Sequence, residues 1–329
     1  SHNQNLINET GMAVPTTVRS LDLSVPHARL EASYQTPVEW LTAKIEVDVA
    51  GKPDMKDGYV QAKGRYLTGR LGQFKVPVAA IETESPWTLP LARRGLVHDL
   101  LVDWLDYGGR RPGGLFTARG HGGVKPRLSL GAFQGSVLES LAPNERKTDP
   151  LFRRSLTSQS LIARAQIEIG ATDVGVYYQH RIGSPAIGQP KRYWTAGADA
   201  KVDHTFEGGG LRVWADAIAG ASWYRQGADL GDTTFMAGRV LVAYRWGGVA
   251  VDEPYLEPFG FAGVFDPDTA ITSDLAWEGT VGFNVGYWHR ARVTLQGEVN
   301  RAGRNFPAMY FGGQDPDRLG VIMEAGVAF

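Results

Sequence analysis

Parity constrains this chain more than any motif does. From Leu319 onward every second residue is Leu319, Val321, Met323, Ala325, Val327 and Phe329, interleaved with Arg318, Gly320, Ile322, Glu324, Gly326 and Ala328. Period-two alternation belongs to a strand, with one face apolar and the other wet or small. It lasts for the ~9–11 residues that a tilted strand needs to cross a bilayer core, about twice the usual soluble strand. The texture recurs upstream. Leu275, Trp277, Gly279, Val281, Phe283, Val285 and Tyr287 oppose Glu278, Thr280 and Asn284. Leu211, Val213, Ala215, Ala217 and Ala219 oppose Arg212, Trp214 and Asp216, and Leu41, Ala43, Ile45 and Val47 oppose Thr42, Lys44, Glu46 and Asp48. A slip of one residue would move every charge to the apolar side, so register is strongly specified.

The connections alternate in length. Short turns are expected at 35–37, 66–69, 122–125, 170–172, 207–210, 246–249 and 288–290. Long links rich in Pro, Gly, Asp and Asn are expected at 78–112, 138–158, 182–191, 224–232, 260–272 and 302–317. Short turns at one end and long loops at the other mark an outer-membrane barrel. Counting hairpins from Ala28 gives about fifteen strands, and 17–24 would supply a sixteenth, as an even number requires. The expected fold is therefore all-β: a transmembrane antiparallel β-barrel of about sixteen strands spanning 15–329, with 1–14 as an N-terminal tail.

Composition makes sense once residues are sorted by parity. The mean hydropathy of −0.21 suits a soluble domain only if it is read as a single surface; here it averages two opposed faces. The 41 glycines suit tight turns and close-packed strands, and the 9 Trp and 12 Tyr suit two interfacial girdles. The absence of Cys removes disulfides, thiolate metal sites and Cys nucleophiles. A net charge of −1 gives no global attraction to nucleic acid. The longest apolar run, 76–81, is far too short for a spanning helix. The N-terminus has no basic patch followed by an apolar segment, so any signal peptide is expected to be already removed.

If the apolar face meets lipid, the other lines the lumen, with about sixteen basic against about eleven acidic side chains by alternation. Such an excess favours anions in a pore. Strands carrying both signs, such as that with Arg212 and Asp216, read as wall bracing. Arg239 and Arg245 share a strand with no acidic neighbour, so they are candidate pore charges; Arg119, Arg127 and Arg318 lie on the same wet register. The longest link, 78–112, holds Trp87, Leu89, Leu96, Val97, Leu100, Leu101 and Trp104, an apolar pattern suggesting a short amphipathic helix or a loop packed on the inner wall. It is expected to be a constriction loop, with Arg93 and Arg94 narrowing the pore.

The run Asp57-Gly-Tyr-Val-Gln-Ala-Lys, then Gly69-Arg-Leu-Gly-Gln-Phe-Lys-Val-Pro77, followed by Glu84-Ser-Pro-Trp and Ala92-Arg-Arg-Gly-Leu, resembles the phosphate-selective porin O and P family. The preceding hairpin, Ala28-Arg-Leu-Glu to Glu46-Val-Asp, is also similar to that family's early strands, and the resemblance covers about residues 27–105 of the chain. The resemblance implies a sixteen-stranded, trimeric outer-membrane channel for anions, with a Gly-Gln-Phe-Lys-x-Pro strand leading into the inward loop and basic lumen residues as the selectivity element. It carries Lys75 over as a pore lysine. The chain departs from that pattern in being short and in mixing carboxylates with its arginines. The terminal Phe329 resembles the signal read by outer-membrane barrel assembly machinery.

An enzyme would need a nucleophile with a base, or a metal motif. The sequence has no HExxH, GxSxG or P-loop, and His98, the one histidine in a lumen loop, has no Ser beside it. The acidic loop pieces at 266–268, 315–317, 229 and 232 lack calcium-loop spacing and are expected to be solvated. The reading is thus a porin of the bacterial outer membrane, without enzymatic activity, cofactor or metal. It passes small hydrophilic solutes with a bias toward anions such as phosphate. Its expected partners are the bilayer, lipopolysaccharide, small anionic solutes, the assembly machinery and, by resemblance, two further copies in a homotrimer. The alternative is a non-conducting barrel that docks in a larger envelope complex.

Overall fold

A computed structural model describes residues 28–50, 53–105, 107–134, 159–182, 193–222, 233–248, 250–306 and 317–327. The proposed strand at 17–24, the tail 1–14 and Phe329 lie outside the described residues. Fifteen strands follow one another: β1 (Arg29–Gln35), β2 (Leu41–Asp48), β3 (Asp54–Lys63), β4 (Leu67–Lys75), β5 (Arg110–Arg119), β6 (Val124–Gln134), β7 (Gln159–Ile169) and β8 (Thr172–Ile182). Then come β9 (Trp194–Phe206), β10 (Gly209–Ala221), β11 (Thr234–Gly247), β12 (Pro254–Asp266), β13 (Ala276–Tyr287), β14 (Ala291–Ala302) and β15 (Arg318–Val327). They form one sheet in sequence order, and each pairs antiparallel with its chain neighbours. The fifteen strands expected from Ala28 onward are present, and strands such as β9 and β11, of 13 and 14 residues, have barrel length.

Exposure is inverted relative to a soluble domain. Val281 on β13 is 69% exposed and Leu71 on β4 71%, whereas Asn284 is 0%, Glu278 2% and Arg239 3% exposed. Only a wall whose outer face meets hydrocarbon accommodates that arrangement, because backbone and side-chain polar groups must then be satisfied from within.

The sheet is curled. Flat, at ~4.8 Å per strand, β4 and β14 would lie roughly 48 Å apart. The segment leaving β4 nevertheless reaches Arg292 on β14 before returning to β5. The sheet therefore wraps around that segment.

Two apolar clusters sit inside the wrap. One joins Val97, Leu100 and Leu101 of the segment to Phe74, Phe133, Phe235 and Phe265 of the wall. The other joins Ile81, Leu89 and Leu91 to Trp214, Leu241 and Phe259.

One connection differs from expectation, in its position and in the burial of its acids. The link expected at 260–272 is shifted: β12 runs on to Asp266, where Phe265 still pairs with Ala276, because the Gly-rich stretch 260–263 alternates in register with β13. Asp268 in the remaining link is buried, with its carboxylate accepting the Ala270 N–H at 3.0 Å, so this acidic piece is not simply solvated.

Candidate pore and the loop folded into it

The inward segment begins where β4 ends. Lys75 Nζ donates to the carbonyl oxygens of Thr83 (3.3 Å) and Glu84, and Arg94 donates to those of Ile81 (3.3 Å) and Glu84 (2.5 Å). These two cations close a compact turn around the short helix α1 (Ala80–Thr83). The helical content is small: α2 (Leu96–His98) continues into a π-helical stretch, Asp99–Trp104, and the rest is irregular backbone. Irregular backbone inside a barrel must find polar partners. The inward registers of β10 to β14 supply them.

The contacts march along the barrel axis. Arg292, one residue into β14 from the short turn, donates to the carbonyls of Pro86 (3.2 Å), Trp87 (3.1 Å) and Leu89 (2.5 Å). Arg212 on β10 donates to Thr88 O at 2.7 Å, and Asn284 on β13 to Pro90 O at 2.9 Å. Further along β14, Gln296 Oε1 accepts from Ala92 N–H at 3.0 Å, and Glu298 lies 3.9 Å from Arg93. Near the other end, Glu278 accepts the N–H groups of both Leu96 and Val97 (the latter at 3.1 Å). The segment therefore enters from the long-loop end, reaches the short-turn end at 86–89 and climbs back. At ~3.3 Å per residue, the climb from Arg292 to Glu298 spans about 20 Å.

Charge fixes the middle of the segment. Arg239 on β11 is held bidentately by Asp216 of β10, at 2.9 and 2.7 Å, and also by Glu82 of α1. Glu82 Oε2 is 2.5 Å from His98 Nδ1. Burial alone would raise the Glu82 carboxyl, but His98 and Arg239 beside it hold it well below the usual carboxylate range. Lys201 on β9 pairs with Glu84 at 2.7 Å.

The candidate pore residues separate into groups. Lys75 and Arg94 share the Glu84 carbonyl and secure the loop. Arg93 pairs with Asp99 and approaches Glu298, which also lies 3.8 Å from Arg318. Arg119 and Arg127 are direct cross-strand partners on β5 and β6. Arg119 donates to Thr68 at 3.0 Å and has a buried Nε with no partner among the described residues, while Arg127 is held by Asp173.

The expectation that Arg239 lacks an acidic neighbour is corrected. Its acids stand on the adjacent strand and on the loop, where a reading of its own strand does not reach. Arg245, at the short-turn end, has no acid within ion-pair distance among the described residues and lies 3.7 Å over the Trp288 ring.

Glu82 and Glu84 were not singled out in the sequence. The signal was there, in two acids close together in the first, largely apolar third of the link. Nor did parity reveal that Glu278, Asn284, Arg292 and Gln296 serve the loop backbone, so that the charges of Glu278 and Arg292 do not face open lumen.

The wall is unevenly covered. The inward residues of β13 and β14 are sealed by the segment, whereas Lys44, Arg127, Glu168 and Asp173 on β2 and β6 to β8 keep a fifth to a third of their side-chain exposure. On that opposite wall, Arg70 lies against the Tyr59 ring at 4.4 Å and donates to Gln61 (2.6 Å), and Arg164 pairs with Asp199 at 2.7 Å.

No protein-family model and no curated protein sequence matches the chain. Solved structures do match it. The outer membrane channel DcaP of Acinetobacter baumannii superposes with a TM-score of 0.58 at 12% identity, covering 92% of this chain and 84% of that one. A loop L8 deletion mutant of OmpT, an outer membrane protein of Vibrio cholerae, gives a TM-score of 0.52 at 9% identity, covering 90% and 88%. OmpT expressed in the outer membrane gives 0.50 at 10% identity, covering 91% and 86%. The chain has the fold of bacterial outer-membrane β-barrel proteins.

Proposed function

We propose that this protein is an outer-membrane porin for passive diffusion of small hydrophilic solutes, biased toward anions. The observation that carries this reading is the asymmetry of the lumen. The inward segment covers the β10–β14 wall, and its contacts neutralise or occupy the charges there. The facing wall carries Arg70, Arg119, Arg127 and Arg164, of which Arg70 and Arg119 have no acidic partner among the described residues. Cations on a low-dielectric wall concentrate anions beside it. Diffusion follows the gap between segment and wall, and no covalent chemistry is involved. The motif resemblance at 57–77 to the phosphate-selective porin O and P family supports phosphate as one solute. It also supports a homotrimer, while the alternating C-terminal strand ending in Phe329 supports assembly by the barrel machinery and an outer-membrane location supports contact with lipopolysaccharide.

Reconstitution in planar bilayers tests the reading. Discrete conductance steps and an anion-selective reversal potential in a salt gradient are expected. Replacing Arg119 and Arg127 by Gln should reduce the anion preference several-fold, whereas Arg239→Gln should move it less. Cation preference would overturn the anion bias. An absence of steps from correctly folded protein would favour the non-conducting docking barrel.

A further inference from the structure

The outer face of the barrel carries a groove. Cross-strand pairing sets Ala62 beside Gly69 and Gly69 beside Phe116 in one row, and Leu71 beside Gly114 and Gly114 beside Ala132 in the next. All six lie in the outward register, with Leu71 71% and Phe116 48% exposed. The small residues therefore step diagonally across β3 to β6, and Leu71 and Phe116 stand as ridges on either side. A groove of about 650 Å³, lined by these six residues among others, follows that course.

The packing of the barrel itself does not call for the two glycines. Neither has a positive φ, a Cβ on Gly69 would meet nothing within 4 Å, and one on Gly114 would make only ordinary contact, 3.7 Å from Leu71. Glycine weakens a strand interior, and it often marks a place that a ligand or another backbone approaches closely. At hydrocarbon depth, an apolar groove is filled by hydrocarbon.

The groove starts near the short-turn end. Gly64 N–H donates to Leu67 O at 2.8 Å to close the β3–β4 turn, and at ~3.3 Å per residue this turn begins about 7 Å beyond the Ala62–Gly69 pair. Exposed Tyr66 and Trp40 mark head-group level there. Arg65, in the turn, lies 5.1 Å over the Tyr66 ring, and Lys63 ends β3 beside it. Both cations are exposed, and neither has an acid within ion-pair distance among the described residues; Glu39, in the adjoining β1–β2 turn, pairs with neither. Basic side chains at a membrane surface attract anionic lipid.

We propose that this face binds one anionic phospholipid, with an acyl chain lying over Gly69 and Gly114, the head-group phosphate held by Arg65, and Lys63 adding positive potential. Short turns of such barrels face the periplasm, so the lipid belongs to the periplasmic leaflet. The site lies outside the lumen and does not depend on conduction.

The test mixes the full chain in detergent with equal amounts of phosphatidylglycerol and phosphatidylcholine of matched acyl chains and counts retained lipid by native mass spectrometry. One phosphatidylglycerol per chain is expected, favoured at least fivefold over phosphatidylcholine. Gly69→Leu, which fills the floor of the groove, should cut retention of both lipids at least tenfold. Arg65→Gln should reduce the preference to below twofold while a lipid of either kind still binds. Arg290→Gln, which removes an exposed arginine from a short turn on the far wall, should change nothing. Gly114→Val fills the same groove should Gly69→Leu not fold. Retention that ignores the head group in the native chain, or that survives in the folded groove variants, overturns the proposal. So does an oligomer that falls apart in Gly69→Leu with no lipid lost, since a second copy would then be the occupant.

Discussion

Arg239 shows how an isolated residue misleads. On β11 it looks like an unopposed pore cation, yet it sits between Asp216 and Glu82 with its guanidinium fully shielded. Breaking such a pair by removing one partner strands the other charge, which costs about 3–5 kcal/mol. Arg239→Ala should therefore lower unfolding free energy by roughly that amount in urea titrations followed by tryptophan fluorescence, and Arg239→Lys by less, because Lys cannot reproduce the bidentate fork. The pH dependence follows from Glu82. Its carboxyl is held below its ordinary value, so its stabilisation is complete above the usual carboxylate range and is lost as pH falls through the lowered value. Urea midpoints measured from neutral pH downward should show this loss in the native chain, with a shallower dependence in Glu82→Gln.

At the scale of elements, the inward segment was legible in outline. The apolar spacing at 96–101 marks the helical piece, and the length of the link marks an inward loop. Its path was not legible, because 84–95 has no periodicity and is positioned by side chains some two hundred residues away, such as Arg292 and Asn284. Gly95 is the hinge of that path. Its φ of +86° suits glycine, and a Cβ there would sit 2.1 Å from Glu278 Oε2, the carboxylate that accepts the Leu96 and Val97 N–H groups. Gly95→Ala should loosen the segment by at least the ~1–2 kcal/mol cost of a left-handed non-glycine residue. Faster limited proteolysis within 84–95 and noisier or larger conductance steps are the expected readouts; an unchanged digestion rate would remove Gly95 and Glu278 from the anchoring scheme.

For the whole molecule, the governing fact is that polarity points inward. A charge placed on the lipid face should be costly where the same change at a rim is mild. Val281, midway along β13 and 69% exposed on the outer face, is a suitable probe. Val281→Arg should destabilise the barrel refolded in vesicles by about 2–4 kcal/mol, the midplane cost for Arg, falling toward zero for Tyr287→Arg at the strand end. Equal costs at the two depths would contradict the membrane-spanning orientation. Parity in the sequence determined the strands, their order of faces and the outward or inward register of nearly every charge, because alternation is a local property of an extended backbone. It did not determine which inward charges face solution. That was decided only when the sheet curled and the segment after β4 crossed to the far wall. Neutralisation depends on distances between groups remote in sequence, and a period of two carries no information about them.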